Sequence, residues 1–140
     1  MRSLSVKSVR LQLEAKRNQM NTKFQRYLKR KNRVRRKISG SVDKPRLTVT
    51  RSLKNISCQL VDDVNGVTLA AVSSNSKEVK EIFNDKKHTK TEVAKATGRL
   101  LAEKAKAKGI KKAVFDRNGY MFHGRIKAVA DGFKDAELTI

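Results

Sequence analysis

The sequence predicts a small α/β domain of α+β-like character. Its order is βββαβα, a mixed four-stranded sheet with helices packed mainly on one face, preceded by a basic N-terminal arm. Three observations predict it. Apolar residues alternate with a period of two between residues 46 and 73, the mark of half-buried strands. A period near 3.6 takes over after residue 89, the mark of amphipathic helix. Charge is concentrated at the start, where residues 1–40 hold 14 basic residues and one acid, Glu14.

The segments divide as a basic extension over residues 1–22, a basic arm over 23–42 and a globular domain over 43–140. The extension carries serine and arginine with a single acid, a composition shared by plain basic extensions and by organellar transit peptides. A plain basic extension is expected. The arm segment KFQRYLKRKNRVRRK (23–37) has nine basic residues. Phe24, Tyr27, Leu28 and Val34 read as isolated apolar points without a core-forming period. Its residue types allow helix, yet self-repulsion predicts disorder until an anionic partner is present.

Folding signals begin at Asp43-Lys44-Pro45. Proline is tolerated at the start of a strand, and RLTVTRS (46–52) alternates Leu47 and Val49 with Thr48 and Thr50. A short turn over 52–55 leads to ISCQLVDD (56–63), where Ile56, Cys58 and Leu60 share a side. Asn65-Gly66 predicts a type I′ hairpin into VTLAAVS (67–73). That register sets Leu60 opposite Ala71 and Cys58 opposite Ser73, with Cys58, Leu60, Leu69 and Ala71 on one face. Residues 74–88 are polar and lysine-rich, with a short helical turn over 79–83. Thr89-x-x-Glu92 is a capping box. The helix after it carries a stripe of Val93, Ala96, Thr97, Leu100, Leu101 and Ala105 and stops at Gly109. AVF (113–115) reads as a buried strand reached by a crossover, which places it beside and parallel to the first strand. A last helix from about Gly124 buries Ile126, Val129, Ala130 and Phe133. The opposite sheet face, with Thr48, Thr50, Ser57 and Gln59, is left open to solvent or ligand.

The chain has 34 Lys+Arg against 13 Asp+Glu, a formal net charge of +21. Such an excess opposes the compact state unless a polyanion offsets it, and nucleic acid is the first partner to consider. No apolar run approaches the roughly 20 residues that span a bilayer, so no membrane is expected. Cys58 is the single cysteine; it falls in an apolar alternation and reads as a buried hydrophobe. Metal-dependent phosphoryl chemistry needs converging carboxylates. Asp62, Asp63 and Asp116 are the only set available, and the first two are expected at the strand end remote from Asp116. The sequence holds no phosphate-binding glycine fingerprint and no Ser/His/Asp ordering. No catalytic residue, metal, cofactor or small-molecule substrate is therefore expected.

One stretch still has the parts of an active site: FDRNGYMFHGR (115–125). Asn118-Gly119 reads as a turn. Gly124 opens the last helix, whose backbone N–H groups with Arg125 suit a phosphate. Asp116 is expected to position Arg117 or to cap local backbone donors. Tyr120 and His123 are read as hydrogen-bonding or stacking partners for nucleic acid rather than as an acid and a base.

The segments RVRRKISGS, KPRLTVTRSLKNI, QLVDD, NGVTLA and KGIKKAVFDRNGYMFHGRIKAVAD, in that order, resemble the bacterial-type large-subunit ribosomal protein L18 family over about residues 23–140. The resemblance implies a protein that binds 5S rRNA and helps attach it to 23S rRNA in the central protuberance, among neighbouring large-subunit ribosomal proteins. It implies a cytoplasmic ribosome, or an organellar one if residues 1–20 are a transit peptide. The RNA-facing residues it implies are Arg30, Arg33, Arg35, Arg36 and Lys37 in the arm. In the first strand and turn they are Arg46, Arg51, Ser52, Lys54 and Asn55, with Gln59 on the open sheet face. The late loop adds Arg117, Tyr120, His123 and Arg125. The family often has aromatics where Thr50 and Ser57 stand, so base stacking on the sheet is expected to be weaker here. It commonly has glycine where Asn118 stands, and Asn tolerates the positive φ such a turn needs.

Overall fold

A computed structural model describes residues 5–84 and 86–140, without the side chains of residues 19–21. The elements are helix α1 (Val6–Lys37), strands β1 (Arg46–Arg51), β2 (Ile56–Asp62) and β3 (Val67–Ser73), helices α2 (Lys77–Phe83) and α3 (Lys90–Ala107), strand β4 (Val114–Asp116) and helix α4 (Arg125–Asp135). The sheet order is β3-β2-β1-β4. β1 pairs antiparallel with β2 and parallel with β4, as the crossover argument predicts. Helix α3 packs on β2 and β3, and α4 on β1.

The inner face of the sheet follows the period of two. Leu47 and Val49 of β1 stand opposite Leu60 and Cys58 of β2, all of them buried. The Cys58 thiol points at the carbonyl of Thr97 on α3, and burial pushes its pKa up to about 12. Thr89 and Glu92 form the reciprocal capping box expected of them. The buried stripe of α3 is Ala94, Thr97, Gly98, Leu101, Ala102 and Ala105, while Val93, Ala96 and Leu100 are only half-buried. That turns the helix relative to the expected stripe, and Gly98 is the reason. A Cβ at Gly98 would lie 2.2 Å from the carbonyl oxygen of Val129, and one at Gly132 would lie 2.1 Å from that of Lys95. The two glycines let α3 and α4 cross backbone against backbone. On α4, Ile126, Val129, Ala130 and Phe133 are buried as expected.

The β2–β3 register differs from the expected one. Leu60 faces Ala70 and Cys58 faces Val72, so Ala70 and Val72 enter the core while Ala71 is exposed. A single-residue slip exchanges the two faces of a strand, and the cause is the turn. Asp62 pairs with Val67, which leaves a four-residue loop in place of a two-residue one, and the ladder slips between Leu60 and Val61. Gly66 has positive φ but Asn65 does not, so no type I′ turn forms. Asp62 is buried and builds the loop, accepting from the Val64 N–H at 3.0 Å and from the Asn65 side-chain amide at 2.8 Å. The type I′ signature sits instead at Asn118-Gly119, with φ values of 54° and 80° and a Tyr120 N–H to Arg117 carbonyl bond of 3.1 Å.

The arm also departs from expectation, being one unbroken helix from Val6 to Lys37. Tyr27, Leu28, Lys31 and Val34 are half-buried. Their spacing of one, three and four residues makes one helical face, so these apolar points are a docking stripe. Basic side chains in the last turn (Arg35, Arg36 and Lys37) suit the negative end of the helix dipole.

Candidate nucleic-acid interface

Helix α1 reaches the domain at the turn after β4. The carboxylate that makes this possible is Asp116, which is fully buried. Its Oδ2 accepts from Arg46 Nη1 at 2.7 Å and from Arg35 Nε at 3.4 Å. Its Oδ1 accepts from the Asn118 N–H at 2.9 Å. Capping of local backbone donors was one of the two roles expected of it; pairing with Arg117 was the other, and the structure gives it Arg46 and Arg35 instead. Arg46 then grips Asp63 with two bonds of 2.9 Å, and Asp63 accepts the Gly40 N–H at 2.8 Å. Hydrogen bonding from Arg46 holds the Asp63 carboxyl below its ordinary range and raises the Arg46 guanidinium above its own.

This network corrects the expected separation of the carboxylates. Arg46 pairs with Val61 near the end of β2 and with Val114 at the start of β4. Asp63 and Asp116 therefore meet at one guanidinium. Its charge, with that of Arg35 beside Asp116, offsets the pair, so they form an ion-pair cluster and not an open metal site. Among the described residues no group of three or more His, Cys, Asp and Glu could hold a metal ion. None of the described helices is long and apolar enough to cross a membrane.

Above the cluster, α1 and the Asn118-Gly119 turn form a groove of about 610 Å³. Arg30, Arg33, Arg51 and Arg117 line it together with Tyr27 and Tyr120. Tyr27 presses on the turn so closely that a Cβ at Gly119 would lie 2.9 Å from its ring. Arg30 Nε lies 3.4 Å from the Gly119 carbonyl. The rings of Tyr27 and Tyr120 are 6.2 Å apart, and the Arg51 guanidinium lies 5.0 Å over Tyr120. The Tyr120 hydroxyl donates to the Arg51 carbonyl at 3.2 Å. Burial, and next Tyr120 beside it, raises the Tyr27 phenol above its usual pKa. Guanidiniums beside aromatic faces can hold phosphate by paired hydrogen bonds and stack on bases.

The other residues singled out in the sequence divide among three places. Arg36 and Lys37 are exposed at the end of α1. Ser52 and Asn55 close the β1–β2 turn on each other, with bonds of 2.8 to 3.0 Å. Lys54, Asn55 and Arg125 line a separate pocket with Lys80, His88 and Lys90. Gln59 is half-buried on the open sheet face, in a shallow cleft with Thr48, Thr50 and Ser57. His123 is exposed, outside the α1 groove. Arg35 straddles the cluster and the surface, its side chain 38% exposed. Sequence reasoning missed Tyr27, whose spacing with Lys31 and Val34 could have marked it. It also missed Lys80 and His88, which carry no local signal.

A family model described as ribosomal L18 of archaea, bacteria, mitochondria and chloroplasts matches residues 21–140. The large ribosomal subunit protein uL18 of Myxococcus xanthus is 52% identical over 120 residues, covering 85% of this chain and 98% of that relative. The uL18 protein of Desulfosudis oleivorans is 47% identical over 119 residues, covering 85% and 96%. That of Chloroherpeton thalassium is 50% identical over 117 residues, covering 84% and 95%. These relatives are ribosomal proteins and not enzymes. The chain belongs to the L18 family, ribosomal proteins of the large subunit.

Proposed function

We propose that the chain binds 5S rRNA and helps attach it to 23S rRNA in the central protuberance, beside neighbouring large-subunit proteins. The observation that carries this reading is the groove between α1 and the Asn118-Gly119 turn, where four arginines flank two tyrosine rings. Double-stranded RNA is read by shape, phosphate and 2′-hydroxyl, because its major groove is too narrow for side chains. A long basic helix held at a fixed angle suits that task. The net charge of +21 supplies the attraction. In this reading α1 lies along RNA backbone, and Arg51 and Arg117 hold phosphates at its docked end. Arg46 acts beneath them by fixing the turn.

The ribosome in question is cytoplasmic in this reading. An organellar one would require residues 1–20 to be removed on import, which the mass of the mature N-terminus decides. Footprinting of 5S rRNA with the full chain tests the function itself. Protection of a defined helical segment, resistant to competing duplex DNA, is expected. Equal competition by duplex DNA would replace the proposal with a generic basic binder.

A further inference from the structure

We infer that a second pocket, across the β1–β2 turn from the α1 groove, receives one unpaired nucleotide of the bound RNA. Its phosphate would lie on Lys54, Lys80 and Arg125, and its base against the Phe83–His88 ring pair. The inference rests on the RNA-binding reading and extends it to a site that uses α2 and the loop before α3.

The pocket has a volume of about 260 Å³ and opens between the β1–β2 turn, α2 and the start of α4. Its floor is apolar, with Ile56 and Val93, and it continues into a smaller cleft of about 220 Å³ lined by Val79 and Phe83. The rings of Phe83 and His88 are 4.6 Å apart and inclined at 35°. His88 Nδ1 lies 2.6 Å from the Lys86 carbonyl. A carbonyl only accepts, so Nδ1 carries a proton and donates to it. Aromatic plates of this kind stack on any base, since every base has a π-face.

The rim is cationic. Among the described residues, Lys54, Lys80 and Arg125 have no carboxylate partner. Lys90 is held by the turn, donating to the Leu53 carbonyl at 2.8 Å. Two carboxylates near the rim in sequence are engaged elsewhere: Glu92 caps the Thr89 N–H, and Glu78 pairs with Lys104. An apolar floor with an unmatched cationic rim is complementary to a base joined to a phosphate. Continuity favours RNA over an acidic protein segment. Arg51 lines the α1 groove, and Lys54 and Asn55 line this pocket, at the two ends of one closed turn. One strand can therefore pass from groove to pocket without leaving the protein.

The test uses the full chain and 5S rRNA transcribed with 4-thiouridine, irradiated in the complex, with cross-linked peptides sequenced. The expected result is a cross-link within residues 83–88. In filter binding, the double variant Lys80→Ala/Arg125→Ala should bind about tenfold more weakly. It should also lower the salt slope of log K by about 1.4 to 1.8, two phosphates' worth, and lose the cross-link. Cross-links confined to Tyr27 and Tyr120, with unchanged affinity of the double variant, would overturn the pocket while leaving the groove reading intact. Pocket shielding in assembled subunits by a protein segment rather than by RNA would also overturn it. A parent chain that fails to retain 5S rRNA would bring down the functional proposal itself.

Discussion

Replacing Asp116 by alanine tests the ion-pair cluster. The substitution removes a fully buried carboxylate that accepts from Arg46 at 2.7 Å and from the Asn118 N–H at 2.9 Å. Removing one partner of a buried pair costs about 3–5 kcal/mol, because the other charge is left uncompensated. Arg46 keeps its two bonds to Asp63, so the loss should lie near the lower end, about 3 kcal/mol. Against a total stability of about 5–15 kcal/mol, that is a large share. It should lower Tm by on the order of 10 °C, read by circular dichroism. Asp116→Asn keeps an acceptor for the Asn118 N–H and should lose about half as much. A double-mutant cycle with Arg46→Gln should show strong coupling. An Asp116→Ala variant that melts within about 2 °C of the parent would refute the reasoning. So would an Arg46→Gln variant that keeps its Tm but loses about 0.7–0.9 of salt slope, since that is the signature of a phosphate ligand.

Other outcomes follow from the same structure. Asp63 has its folded pKa depressed by Arg46, so its contribution is present above the unfolded value of about 3.9 and lost as pH falls through the folded one; urea midpoints measured against pH should drop there, and Asp63→Asn should flatten that drop. Gly132→Ala drives a Cβ to within 2.1 Å of the Lys95 carbonyl and should destabilise by about 1–3 kcal/mol in chemical denaturation, whereas an unchanged midpoint would mean that the α3–α4 crossing yields easily. Cys58 is 2% exposed with a thiol pushed up to about 12, so a thiol reagent at neutral pH should label it only when the chain unfolds; prompt labelling of the native protein would contradict its burial.

Much of the fold was legible because its signals are local. The Thr89–Glu92 capping box, the alternation of Leu47 with Val49 and the α4 stripe depend on neighbours in sequence. The resemblance to the L18 family was equally legible, since it runs through continuous segments. What failed was set by one side chain that redirects a turn and by contacts between distant segments. The β2–β3 register depends on Asp62 folding back on Val64 and Asn65, which outweighs the Asn-Gly signal. The docked arm depends on a face made by Tyr27, Lys31 and Val34, too sparse to read as a core stripe, and on a turn some ninety residues away. Asp63 and Asp116 meet only because Arg46 lies where β2 ends and β4 begins. The same holds for the interface. Its arginines were evident from charge and resemblance, but their division into a groove, an ion-pair cluster and a second pocket follows from packing.

The central claim is that the α1 groove holds RNA phosphates. The most direct test is the salt dependence of 5S rRNA binding by the full chain, compared with a variant in which Arg30, Arg33, Arg51 and Arg117 are all alanine. Each phosphate contact contributes about 0.7–0.9 to the slope of log K against log salt, so the variant's slope should be shallower by about 3. Equal slopes for the two proteins, with the variant folded by circular dichroism, would contradict the claim.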